Sequence, residues 1–157
     1  MDSNDATVLH VFITPEAGGD MQEVDTVSAI EGRGLMGDRY YTMAGTFSKP
    51  QIEPDQEITL IESEAFEELE SNHGISLNYS QCRRNVITRG VDLNALVGQT
   101  FQVGEVTVRG MRLCEPCTYL SGLTGHKMLV RLWRGRAGLR AHIAKSGKIS
   151  AGDSITV

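Results

Sequence analysis

At 157 residues, with 40% hydrophobic and 22% charged residues, the chain can bury a core and reads as one globular domain over 1–157. No apolar run approaches the roughly 18 residues of a membrane helix, and the acidic start MDSNDATVLHVFIT is unlike a basic-headed signal peptide. Three cysteines do not make a disulfide framework, so a reducing cytoplasm and no membrane partner are expected. The net charge of −5 hides a split: residues 1–70 carry 16 acids and 3 bases, residues 71–157 carry 4 acids and 12 bases. Either the second half meets an anion or the halves neutralise each other across a shared fold. Aromatic content of 6% without a basic low-complexity stretch argues against nucleic acid.

VLHVFIT (8–14) and VDTVSAI (24–30), separated by Pro15–Gly19, are predicted to be a strand pair. EGRGLMGDRYY (31–41) holds three glycines and is predicted to be a shaped loop. Residues 45–56, with two prolines, form a second loop. EITLI is predicted to be a strand and ESEAFEELESNHG a helix, with Ala65, Phe66 and Leu69 on one side, Glu62 and Glu64 in the first turn, and Gly74 as its stop. NVITRG, QTFQV and EVTVRGMRL are further strands. HKMLVRLWRGRAG is predicted to be helical, with Leu129, Leu132 and Trp133 toward the core, and GLRAHIAKSGKISAGDSITV to be two strands joined at Ser146-Gly147. Many short strands with few helices predict a mainly β fold, a barrel or sandwich decorated by short helices.

The segment RLCEPCTYL contains Cys114 and Cys117. A structural zinc site needs four ligands at close spacing, and the other candidates, Cys82 and four scattered histidines, are not so spaced. A thioredoxin-like dithiol belongs to a βαβ pattern, which the rest of the chain does not display. A third reading is one working thiolate: Pro116 fixes the turn before Cys117, and Arg109 and Arg112 favour its ionised form. A buried structural cysteine is the fourth reading. A second cluster, QCRRNVITRG, gathers Arg83, Arg84 and Arg89 around Asn85: forked donors for a phosphate beside a donor–acceptor amide for a heterocycle edge, or a solvated basic turn. Asp38 and Arg39 in GDRYY either pair with each other or touch a ligand.

The run RRNVITRGVDLNALVGQTFQVGEVTVRGMRLCEPCTYL, with GDRYY and ITLIESEAFEEL before it and GLRAHIAKSGKISAGDSITV after it, resembles the MOSC domain over about residues 8–157. That family is named for the C-terminal part of molybdenum cofactor sulfurases. The resemblance implies a small stand-alone member with a β-barrel fold and a molybdenum pyranopterin cofactor (molybdopterin). It makes Cys117 the functional thiol and metal ligand, with Cys114 a bystander, and places Arg83 and Asn85 where relatives hold the cofactor. Arg84, Asp38 and Arg39 join that set. Where many relatives read GDRH, this chain has Tyr40, so a role for that histidine does not transfer; Cys82 is an unexpected thiol beside the arginines.

Three functions follow from the resemblance. One is a molybdenum enzyme reducing N-hydroxylated compounds, with a redox partner. Another is a persulfide carrier that receives sulfur on Cys117 from a pyridoxal-phosphate cysteine desulfurase. The last is a non-catalytic anion-binding barrel. Nothing in the residues argues for a pyridoxal phosphate site in this chain itself.

Overall fold

The computed structural model describes residues 6–16, 19–41, 56–115 and 128–157, without the side chains of Leu129 and Val130. β1 (Thr7–Ile13) pairs antiparallel with β2 (Gln22–Val24) on one side and with β6 (Val86–Arg89) on the other. The expected single strand over 24–30 is instead broken at Asp25. β3 (Thr26–Ile30) leaves β1 and pairs with β4 (Gly34–Leu35) and with β10 (Gly147–Ser150), a partner far away in sequence. The glycine loop is shaped as expected, with Gly32, Gly34 and Gly37 at positive φ. Of the predicted loop over 45–56, all but Gln56 lies outside the described residues.

β5 (Ile58–Glu62) is buried at four of its five positions because both of its faces are covered. Ile58 and Leu60 join the main core, while Ile61 packs with Ala65, Phe66 and Leu69 of α1 (Ser63–His73). α1 ends where expected, at Gly74 in the left-handed region, whose N–H reaches Glu70 O at 2.9 Å. Glu62 is not in the first turn: it closes β5 and stands at the N-cap position, without a side-chain capping bond. β5 and β6 run parallel, so β5–α1–β6 is a βαβ unit, contrary to the reading that the chain lacks one. The irregular connection over 74–85, with a 3₁₀ turn at Tyr79–Cys82, breaks up the helix–strand alternation that would have revealed it.

The larger sheet has eight strands in the order β11-β7-β8-β9-β5-β6-β1-β2, with β7 (Thr100–Val103), β8 (Val106–Leu113), β9 (Leu139–Lys145) and β11 (Ile155–Thr156). The smaller one is β10-β3-β4. The fold is mainly β, but the expected closed barrel is not present: the large sheet ends at β11 and β2. β11 is two residues long and committed to β7, so its seam with β1 is a single bridge, Thr7–Ser154, rather than a ladder. The C-terminal stretch holds three strands, not two, and Ser146-Gly147 joins strands of different sheets. Of the predicted helix over 126–138, residues 126 and 127 lie outside the described residues, and the rest holds one turn, α2 (Leu129–Leu132), followed by the buried Trp133, with Gly135 and Gly138 at positive φ. Trp133 donates its ring N–H to Ala65 O at 3.3 Å and meets Phe66 edge to face. Among the described residues no helix is long and apolar enough to cross a membrane.

Part of the charge split is answered by pairing between the halves. Arg89 meets Glu67, Arg136 meets Glu62 and Glu68, and His142 meets the buried Glu57.

Candidate functional site

Five residues singled out in the sequence, Asp38, Arg39, Arg83, Arg84 and Asn85, are all buried. Asn85 stands just before β6 and ties three strands. Its Oδ1 accepts from Thr59 N at 3.1 Å and from Thr59 Oγ1 at 3.0 Å, and its Nδ2 donates to Phe12 O at 3.1 Å. An amide nitrogen carries two N–H groups, so one is not used by these bonds.

Arg83 has φ +66, the one non-glycine residue at positive φ among the described residues. That left-handed turn follows the 3₁₀ turn at Tyr79–Cys82 and swings the guanidinium toward the β1–β2 connection, where Nη1 donates to Gly19 O. The glycine loop arrives from the other side. Arg39 donates from Nη2 to Arg83 O at 3.4 Å and from Nη1 to Asp38 Oδ1 at 3.3 Å, and lies over the Tyr40 ring at 4.8 Å. Asp38 is held by the N–H groups of Thr14 and Tyr40 at 3.2 and 3.4 Å. Burial pushes its carboxyl up from the usual range, with Arg39 pulling the other way. Asp38, Arg39, Arg83 and Asn85 are thus brought together, and the Tyr40 ring serves as the surface under Arg39.

Arg84 turns away, and its Nε donates to Ala137 O at 2.8 Å. On that side lie Cys82 and Cys114, both fully buried. Burial pushes the Cys82 thiol up to about 11, the Arg84 charge opposing the shift, and its S–H faces Tyr79 O at 3.0 Å. Cys82 is therefore a protonated, inert thiol. Cys114 ends its strand pairing with its N–H on Gly138 O at 2.8 Å. Cys117, the expected working thiol, lies outside the described residues. Among the described residues, no group of three His, Cys, Asp or Glu side chains stands close enough to hold a metal.

Sequence reasoning missed Gly19, Thr14 and Thr59 as parts of this cluster. No local pattern marks them, because only strand register brings them to it.

A family model for the MOSC domain matches residues 35–156. The chain belongs to the MOSC domain family. Solved structures agree on the fold. The YuaD protein of Bacillus subtilis superposes with a TM-score of 0.80 at 17% identity, covering 96% of this chain and 93% of that one. YiiM of Geobacillus stearothermophilus gives 0.74 at 15% identity, covering 96% and 74%. YiiM of Escherichia coli gives 0.67 at 18% identity, covering 96% and 68%. No curated protein matches this MOSC chain by sequence.

Proposed function

We propose that this MOSC protein is a single-domain, cytoplasmic enzyme that binds the molybdenum cofactor, with Cys117 as its ligand to the metal, and reduces N-hydroxylated compounds. The observation that supports this most is the buried set around Arg83. Arg39 and Arg83 stand together with the buried carboxylate of Asp38, and all three lie in the region that the family model matches. Forked guanidinium donors suit a phosphate. The residues fit the cofactor on this chemistry. Arg83, with Arg39, would hold the phosphate, Asn85 would offer its second N–H to the pterin, and the Cys117 thiolate is a soft donor for the metal; Arg84, turned to the other side, would not reach it.

When bound, the molybdenum supplies the two-electron redox chemistry. The chain's own residues prepare the site. Asp38 orients Arg39, Arg39 holds the Arg83 carbonyl and so the left-handed turn, and Asn85 fixes that turn to β1 and β5. Cys82, protonated and buried, takes no part.

The test is metal, pterin and sulfur analysis of protein purified from a host that makes the cofactor. Stoichiometric molybdenum and pterin are expected, lost in Cys117→Ser and mostly kept in Cys114→Ser. A labile extra sulfur on Cys117 without metal would make the protein a persulfide carrier instead. Neither metal nor sulfur on a folded protein would overturn both.

A further inference from the structure

Ala65, Glu68, Leu69 and Asn72 fall on one face of α1, at the spacing of successive helical turns. Opposite them the chain leaves α2, buries Trp133 and turns at Gly135, where φ is +78, so that Arg136 comes back to meet α1 at Glu68. Arg136 N–H closes that turn on Trp133 O at 2.9 Å, and the Trp133 ring N–H ties it to Ala65 O at 3.3 Å. Between the two segments lies a partly open cavity of about 100 Å³. Its inner wall is apolar, with Ala65, Leu69 and Trp133 all buried, and its mouth carries Glu68, Asn72 and Arg136.

The mouth is balanced in charge but not complete in hydrogen bonding. Arg136 Nη1 meets Glu62 and Nη2 meets Glu68 Oε2, so the guanidinium and the carboxylates already answer each other. Arg136 Nε is buried without an acceptor. Glu68 Oε1 and the Asn72 amide have no hydrogen-bond partner among the described residues. The cavity therefore offers one donor, one acceptor and one amide that is both, with its ionic charges already paired. An incoming ion finds no counter-charge there. An uncharged group with C=O and N–H side by side is matched at both ends.

We infer that this cavity binds a small uncharged aliphatic amide, with its alkyl group against Trp133 and its amide at the mouth. Size sets the class as well as polarity: an apolar cavity of about 150 Å³ holds the six carbons of benzene, so about 100 Å³ holds about four. The site shares no residue with the Arg83 cluster and does not depend on the reading of Cys117.

Trp133 is the chain's one tryptophan, so its fluorescence reads the cavity directly. The experiment is titration of the full chain with isobutyramide, isobutyrate and isobutylammonium near neutral pH at fixed ionic strength, with each variant's fold checked by circular dichroism. A saturable change in emission is expected for the amide, half-complete in about the millimolar range because so few atoms make contact. Both ions should bind about tenfold more weakly or not at all. Asn72→Ala, at an exposed helix position, should weaken the amide about fivefold, the loss of one neutral hydrogen bond. Asn72→Phe, which lays a ring across the mouth, should abolish the response. Ser71→Ala, the exposed neighbour outside the cavity, should change it less than about twofold. No saturable response to the amide would overturn the inference. So would isobutyrate binding as tightly as the amide, which would mean that Arg136 Nε draws an anion, or an equal loss in Ser71→Ala, which would place the binding elsewhere.

Discussion

Replacing Asn85 with alanine tests whether the start of β6 is held by one side chain. In the native fold that side chain accepts two bonds from Thr59 and donates one to Phe12 O. Alanine leaves a backbone N–H, a hydroxyl and a carbonyl without those partners in a region buried from water. Each orphaned group costs about 1–3 kcal/mol. The Thr59 hydroxyl also accepts from Asn85 N at 3.0 Å and keeps that bond, so the full sum is not expected. About 3–5 kcal/mol is a reasonable total, a large share of the 5–15 kcal/mol typical of a domain. Urea unfolding measures it as a lower midpoint with an unchanged slope. A double-mutant cycle with Thr59→Val isolates the pair and should return a coupling of about 1–2 kcal/mol. Asn85→Asp keeps both acceptor contacts but turns a carboxylate oxygen onto Phe12 O in a buried site, so at neutral pH it should cost at least as much as the loss of the donor alone. A loss under about 1 kcal/mol for Asn85→Ala, or no coupling with Thr59, would refute the claim that Asn85 fastens the three strands.

Gly138→Ala should lower the melting temperature sharply or prevent folding, since its φ is +109 and an added Cβ would stand 2.2 Å from Leu60 O; a melting temperature within a few degrees of wild type would contradict this. The Cys82 thiol, at about 11 against 9.0 for an ordinary thiol, stays protonated in the fold while the unfolded chain ionises. Its contribution is complete below about pH 9 and is lost as pH rises toward 11, about 2–3 kcal/mol in all; urea midpoints at the two ends should fall further for wild type than for Cys82→Ala. Native-state alkylation at pH 8 should spare Cys82 and Cys114, both fully buried, with peptide mapping as the check. Arg136→Ala should cost about 1 kcal/mol through its pairs with Glu62 and Glu68, while exposed Arg134→Ala stays within about 0.5 kcal/mol; equal effects would deny the ion-pair network any weight.

Local signals in the chain carried far. Apolar ITLI and the helical spacing of Ala65, Phe66 and Leu69 marked β5 and α1, because each must bury one stripe or two faces to be stable. GDRYY and QCRRN stood out by residue chemistry alone, and Asp38, Arg39, Arg83 and Asn85 from them proved to be buried in one cluster. What stayed hidden was set by pairing over long distances. Asp25 ends one strand and begins another because β3 finds its partner in residues 147–150, which nothing near Asp25 announces. Arg84 looked like a sibling of Arg83, yet the left-handed backbone at Arg83 sends the two guanidinium groups to opposite sides. Chain neighbours in an extended or turned segment do not share a face, so a run of like residues is not by itself a site.

The same reasoning reinterprets the basic second half. Arg89 and Arg136 are matched by first-half carboxylates, so part of the excess positive charge serves the fold. What distinguishes the remaining arginines is placement, not number. Arg83 sits in a strained left-handed turn beside Arg39. That turn opposes folding slightly and makes sense where a ligand engages it, so it is where ligand binding should raise stability in proportion to ligand occupancy.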